Sequence, residues 1–396
     1  MSIDERRAAT PAPAARRSRI RRRPGKRTRV VLTVLLVLLV LPAVSYVRAL
    51  TYPGNASFSV RSVEWVRDHG GSPVVDAVEN WYYTRKAPSA AGAPQDSIDL
   101  STPPPAAVHA RRHATSSLPR VQLLGSTAPL AGEGVWTSVG VDHAMWQTWV
   151  RPDPRHLPVV AAAVLVPKGR MALHLAAGTR EPVAGAASPA RAEVPAAQRD
   201  RLAATFNSGF KLRDSHGGWQ LGSTAAVRLV PGRASLVIDR SGGWRIGTWG
   251  QQVSMSADVL AVRQNLDLVV DHGRPVPGLG SNAGGRWGTA HTQFQYTWRS
   301  GLGVDRRGDL IYVAGRSMTL ATFAQAMARL GVVTGMQMDM HPHMVIFNLV
   351  SHRSGGDVSM TRLLSSMDAP ARRYLVPDQR DFLYLTVIGR PVPGAP

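Results

Sequence analysis

The stretch from Arg299 to Asn348 constrains the fold most, because its apolar spacing changes period three times within one short segment. Gly301 to Asp305 alternates weakly, Arg306-Arg307-Gly308-Asp309 supplies a turn, and Leu310 to Ala314 is a short apolar run of β-favouring residues. Thr319 is placed to cap a helix whose apolar residues Leu320, Phe323, Ala324, Met327 and Leu330 recur at helical spacing. Gly331 follows, where a left-handed helix stop is expected. The chain then re-enters a strand at Met336 to Met340, so the pattern predicts a strand–turn–strand–helix–strand unit. One acid, Asp339, interrupts that last strand, and His341-Pro342-His343 follows it. Asp339, His341 and His343 occupy alternate positions, which share one face of an extended chain. Such convergence makes a candidate divalent-metal site or an acid/base cluster. The same spacing also fits polar residues at a sheet rim, with Pro342 disturbing the strand.

Upstream, residues 1–29 form a polar, arginine-rich tail without apolar periodicity, expected to be disordered and cytoplasmic. Residues 30–47 are nearly continuously apolar and just long enough to span a bilayer. The arginines before them predict a single-pass signal-anchor with the N-terminus in the cytoplasm and the rest of the chain exported. A cleaved signal peptide is the competing reading, but the run is long and no clean small-residue cleavage pattern follows. Residues 48–120 read as membrane-proximal helices and a Pro/Ala-rich linker. Val60, Val63, Trp65 and Val66 make one short amphipathic set and Val74, Val75, Val78, Trp81 and Tyr82 a second, divided by Gly70-Gly71-Ser72-Pro73.

Residues 121–396 read as the catalytic domain. Strands are expected at 146–150, 159–166 and 173–177, a helix broken at Pro195 over 189–204, and a β-meander from Trp219 to Val270. Asp271-His272-Gly273 reads as a turn, a short helix is expected near 360–366, and a final strand at 384–388. The elements argue for an α+β class, mostly antiparallel sheet with a few packed helices, preceded by the membrane helix. The formal charge of +21 is strongly basic; residues 1–29 carry +9 of it and leave about +12 on the rest. That balance suits an anionic partner. The arginines are scattered and no nucleic-acid motif is present, so no nucleic acid is expected. The absence of cysteine excludes a thiol nucleophile and thiolate metal sites.

Arg299-Ser300-Gly301-Leu302-Gly303, the apolar strand after it, Met318-Thr319-Leu320 and the strand ending in Asp339 together resemble the phosphodiester glycosidase family. Thr205-Phe206-Asn207-Ser208-Gly209-Phe210 resembles that family's Asn-Gly-Gly-Phe segment, and the likeness spans roughly residues 159–385. Many members follow the strand Asp with Gly-Gly-Gly-Ser, where this chain has Met340-His341-Pro342-His343. The resemblance implies a bacterial, membrane-anchored hydrolase that cleaves the glycosidic C–O bond of a sugar-1-phosphodiester in a cell-envelope glycoconjugate or polymer. It implies Asp339 as the carboxylate at the anomeric centre, Arg299 as a bidentate phosphate clamp, and Asn207 as a cleft amide. His341 or His343 would supply acid/base help. Gly209 would allow close backbone approach, Lys211 would neutralise phosphate, and Asp271, Trp287 and Trp298 are further substrate-side candidates. Two other functions share these residues: a metal-dependent phosphodiesterase using Asp339, His341 and His343, and a non-catalytic envelope-glycan-binding protein.

Overall fold

A computed structural model describes residues 25–52, 57–97, 118–183, 191–222, 224–288, 290, 292–352 and 358–389. The basic tail lies outside the described residues up to position 24, and the Pro-rich run lies outside them from 98 to 117. Contacts divide the chain into two units, Met1–Thr51 and Tyr52–Pro396. In the first, helix α1 (Lys26–Thr51) runs through Pro42, and its part Arg29–Thr51 is long and apolar enough to cross a membrane or act as a signal anchor. Its 23 residues extend about 35 Å.

The second unit begins with helices α2 (Phe58–Val66) and α3 (Ser72–Arg85), joined through a bend at His69 and Gly70. Among the described residues its strands form three sheets. The largest runs in the order β1 (Thr137–Val139), β2 (Met145–Val150), β3 (Ala161–Val166), β14 (Leu310–Met318), β13 (Thr297–Val304), β15 (Thr334–Met340), β11 (Leu268–Asp271), β12 (Arg274–Pro275). The second is β7 (Thr224–Val227), β6 (Trp219–Leu221), β10 (Val259–Gln264), β8 (Ala234–Asp239), β9 (Trp244–Thr248). The third is β17 (Val358–Arg362), β16 (Phe347–His352), β5 (Leu202–Asn207), β18 (Phe382–Val387), β4 (Met171–Ala176). Neighbouring strands in each sheet pair antiparallel.

The three sheets share one core. β3 is apolar at every position because both its faces are covered. Ala162, Val164 and Val166 face the inter-sheet core, while Ala161, Ala163 and Leu165 join the layer under helix α4 (Leu320–Arg329). In β18, Leu383 and Leu385 face that same inter-sheet core, and Phe382 and Tyr384 pack behind the third sheet. Each fully buried Leu, Phe or Met contributes about 2 kcal/mol. Thr319 caps α4 by accepting a hydrogen bond from the Thr322 amide, a contribution of about 1 kcal/mol. Gly331, at φ +95°, ends the helix. Gly301 is required where α4 crosses β13, since a Cβ there would stand 2.8 Å from the Phe323 ring and from the Met336 carbonyl.

Two expectations change. The helix expected over 189–204 is a 3-10 turn, Ala196–Arg201, followed directly by β5, because the β-favouring run Leu202–Asn207 pairs with both β16 and β18. The helix expected near 360–366 is replaced at its start by β17, which pairs with β16. The two amphipathic sets expected between Phe58 and Tyr83 form α2 and α3, which belong to the second unit and line its cavity.

Candidate functional site

Asp339 is the penultimate residue of β15, 6% exposed, at the floor of a cavity of about 440 Å³. Its backbone is fixed on both sides: its amide donates to the Ser208 carbonyl (3.0 Å) and its carbonyl accepts from Ser300 Oγ (2.6 Å). One carboxylate oxygen accepts from the Met340 amide (2.8 Å), and the other pairs with Arg380 at 2.9 Å. Burial raises the Asp339 carboxyl above its ordinary range, and Arg380 opposes that shift. Arg380 stands just before β18, in the neighbouring sheet. It donates through Nη2 to the Gly209 carbonyl (3.0 Å), and among the described residues its buried Nε has no hydrogen-bond partner.

Lys211 lines the same cavity, with its ammonium in contact with Glu64 of α2. Burial, then Arg380 and Arg213, lower it to about 7, against Asp214 and Asp339. Gly209 lies beneath, where a Cβ would meet Asn265 and Arg263 at 3.2 and 3.3 Å. Below that, Arg263 pairs with Asp381 at 2.7 Å, both fully buried, and Ser208 Oγ donates to the same carboxylate (2.8 Å). Asn207 does not point into the cavity. Its Nδ2 donates to Ser300 Oγ and the Ser208 carbonyl, both 2.9 Å, while its Oδ1 accepts from Tyr312 Oη (2.9 Å) and the Ile346 amide (3.1 Å). It braces two sheets beneath Asp339.

Arg299 is also not at the cavity. It is fully buried, donating to the Met318 carbonyl (2.9 Å), the Gln295 carbonyl (3.4 Å) and Met340 Sδ (3.9 Å), with no carboxylate partner among the described residues. A guanidinium so committed has no fork to offer a phosphate, and the arginine that lines the cavity is Arg380. The three-on-one-face reading is corrected as well. β15 stops at Met340, and His341 and His343 take positive φ values of 80° and 66°, which turns their side chains apart. His341 lies under α3, with Nε2 3.7 Å from Glu79 and its ring against Tyr83. His343 also borders the cavity and pairs with Asp368 at 2.9 Å. Among the described residues no group of three His, Asp or Glu side chains is arranged to hold a metal ion, so these residues do not fit the divalent metal considered from their spacing. Enclosure pushes His341 down to about 4, with Arg67 and Arg299 adding and Asp339 opposing.

Of the remaining candidates, Trp287 lines the cavity, with Nε1 donating to the Leu268 carbonyl (3.2 Å). Trp298 packs in the inter-sheet core, and only its carbonyl reaches the site, accepting from the His341 amide (3.2 Å). Asp271 sits in the β11–β12 turn with Gln252 and His272 and does not line the cavity.

The roof is the α2–α3 pair. Besides Glu64 on Lys211 and Glu79 by His341, Asn80 Oδ1 accepts from Gln295 Nε2 (3.0 Å), and the Tyr83 carbonyl accepts from the Tyr296 amide (3.1 Å). Asp68, between the helices, pairs with Arg213 and, at 3.6 Å, with Arg180. Sequence reasoning missed Arg380 and these roof residues. The only local signal for the roof was the row of polar residues between the apolar positions of α3.

No family model and no curated protein matches this chain. Among solved structures, it has a distant likeness to a hypothetical protein from Synechocystis, at 15% identity and TM-score 0.34, covering 58% of this chain and 59% of that one. The chain therefore spans less than two thirds of that protein's length. It has a similar likeness to the catalytic domain of zebrafish N-acetylglucosamine-1-phosphodiester alpha-N-acetylglucosaminidase, auto-inhibited by its pro-peptide. There the identity is 15% and the TM-score 0.38, over 71% of this chain and 94% of that domain.

Proposed function

We propose that the chain is a membrane-anchored, extracytoplasmic hydrolase that cleaves the glycosidic C–O bond of a sugar-1-phosphodiester in the cell envelope. The observation that carries this reading is the cavity floor: one buried carboxylate, Asp339, flanked by Arg380 with an unpartnered Nε and by Lys211. Arg380 beside Asp339, together with Lys211 once Glu64 gives way, suits a substrate that is anionic next to an electron-poor carbon. The volume suits one sugar with its phosphate. Arg380 and Lys211 receive the phosphodiester oxygens, and Asp339 faces the anomeric carbon, where its charge stabilises the oxocarbenium-like transition state. The C1–O bond breaks with its electron pair on the phosphate oxygen, a good leaving group that needs little general-acid help. His341, neutral near pH 7, accepts a proton from the water whose oxygen bonds to C1. Glu64 occupies Lys211 in this structure, so an anionic group reaches that ammonium only by exchanging with the Glu64 carboxylate.

The test is hydrolysis of a panel of sugar-1-phosphodiesters by the full chain in oxygen-18 water, with and without chelator. Label in the free sugar, lost in Asp339→Asn and unaffected by chelator, supports the proposal. Label in phosphate, abolished by chelation, replaces it with metal-dependent P–O cleavage. Binding without turnover replaces it with a glycan-binding role.

A further inference from the structure

Helix α3 has its polarity reversed relative to a helix packed on a soluble domain. Pro73, Val74, Ala77, Val78, Trp81 and Tyr82 are exposed, with Val74 at 67%, Val78 at 58% and Trp81 at 57%. The enclosed face carries Asp76, Glu79, Asn80 and Tyr83, three of which line the cavity. An ordinary surface helix turns its apolar stripe to the core and its charges to water. Here the polar face is claimed by the site, and a continuous apolar stripe is left outward.

The page also indicates what covers that stripe. It ends in two cations lying over its aromatic residues: the Arg85 guanidinium is 4.7 Å from the Trp81 ring, and the Lys86 ammonium is 4.8 Å from the Tyr82 ring. An apolar stripe ending in aromatics and cations matches the boundary between acyl chains and anionic headgroups. In addition, only residues 52–57 separate the end of α1 from the start of α2, a tether of about 20 Å at full stretch. We propose that α3 lies in the membrane interface. Val74, Val78, Trp81 and Tyr82 insert among the acyl chains, and Arg85 and Lys86 meet anionic headgroups. The proposal rests on the reading of α1 as a membrane anchor.

The chain has no cysteine, so single replacements Leu36→Cys, Val78→Cys and Ser241→Cys can each carry a nitroxide label. Each full-length protein is placed in phosphatidylcholine vesicles containing phosphatidylglycerol, and collision of the label with oxygen and with a water-soluble nickel chelate is read by electron paramagnetic resonance. The expected result is a several-fold higher oxygen-to-nickel ratio at 78 than at 241, reduced when Arg85 and Lys86 are both replaced by Glu. If nickel reaches 78 as freely as 241 while 36 reports lipid, the interfacial helix is overturned and the anchor stands. Lipid at 78 with water at 36 overturns the anchor alone, and water at both overturns both. Dipolar broadening at 78, with oxygen and nickel both excluded, assigns the face to a second copy and overturns the proposal.

Discussion

The carboxylate of Asp339 and the guanidinium of Arg380 meet at 2.9 Å across the junction of two sheets, one at the end of β15 and the other at the threshold of β18. Neither is exposed enough for water to take the place of its partner. Replacing Arg380 with Met is expected to lower kcat/KM by on the order of a hundredfold, with the secondary structure intact by circular dichroism. Arg380→Lys is not expected to restore it, because an ammonium is a compact point charge and cannot place one donor on Asp339 and the Gly209 carbonyl and another where the guanidinium Nε stands. Full activity in Arg380→Lys would remove the guanidinium from the proposed chemistry.

Glu64→Gln leaves Lys211 without its anionic partner. The expected effect is a several-fold lower KM for an anionic substrate with kcat nearly unchanged, since the exchange precedes the chemical step. Salt should raise KM in both proteins by screening the substrate's own contacts, and should raise it less in wild type, where the competing Glu64–Lys211 pair is screened as well. An unchanged KM in Glu64→Gln would mean that Lys211 does not meet the substrate.

Asn207→Ala tests the brace. It leaves Tyr312 Oη and the Ile346 amide facing the position where Asn207 Oδ1 accepted from them, at a cost of about 3 kcal/mol. The measurement is denaturant unfolding followed by tryptophan fluorescence, beside KM determined on the folded fraction. A stability loss with KM preserved supports the brace. A large rise in KM with stability preserved would return Asn207 to the cleft.

Acid should weaken the fold through two histidines. His174, stacked on Tyr384, and His341 are each held near 4, mainly by burial. Unfolded imidazoles bind protons from about 6.5 downward. Between 6.5 and 4 the unfolded chain therefore holds more protons, so stability rises with pH across that window and falls as pH drops through it. Asp339, raised by burial, works in the opposite sense. The comparison is thus between wild type and His174→Gln, whose melting temperature should change less between pH 7 and 4.5. Equal slopes in the two proteins would refute the assignment to His174.

What could be read from the chain was what local chemistry decides. Thr319 and Gly331 bounded α4 because a side-chain cap and a positive φ act within one turn. Asp339 stood out because an acid in a buried strand needs a partner. That partner was not legible, since Arg380 reaches it from another sheet and no spacing rule connects the two. Arg299 was read as a phosphate clamp, but its acceptors are carbonyls brought round by the Gln295 and Met318 backbone, which no local spacing announces. The histidines failed as a face because positive φ at His341 and His343 ends the alternation on which the reading depended. In α3 the apolar stripe was plain, but which side of it met the protein was fixed only by the cations and amides of the site below.

The position of β18 between β5 and β4 sets a condition on how the molecule is made. Synthesis delivers β4 and β5 well before the strand that joins them. A growing chain must carry both of those edges unpaired while the other two sheets assemble, and open edges invite pairing with other chains. Arg380 arrives with β18, so closure of the third sheet and pairing of Asp339 are one event. A chain interrupted before β18 is left with an exposed template for aggregation and a buried carboxylate without its cation.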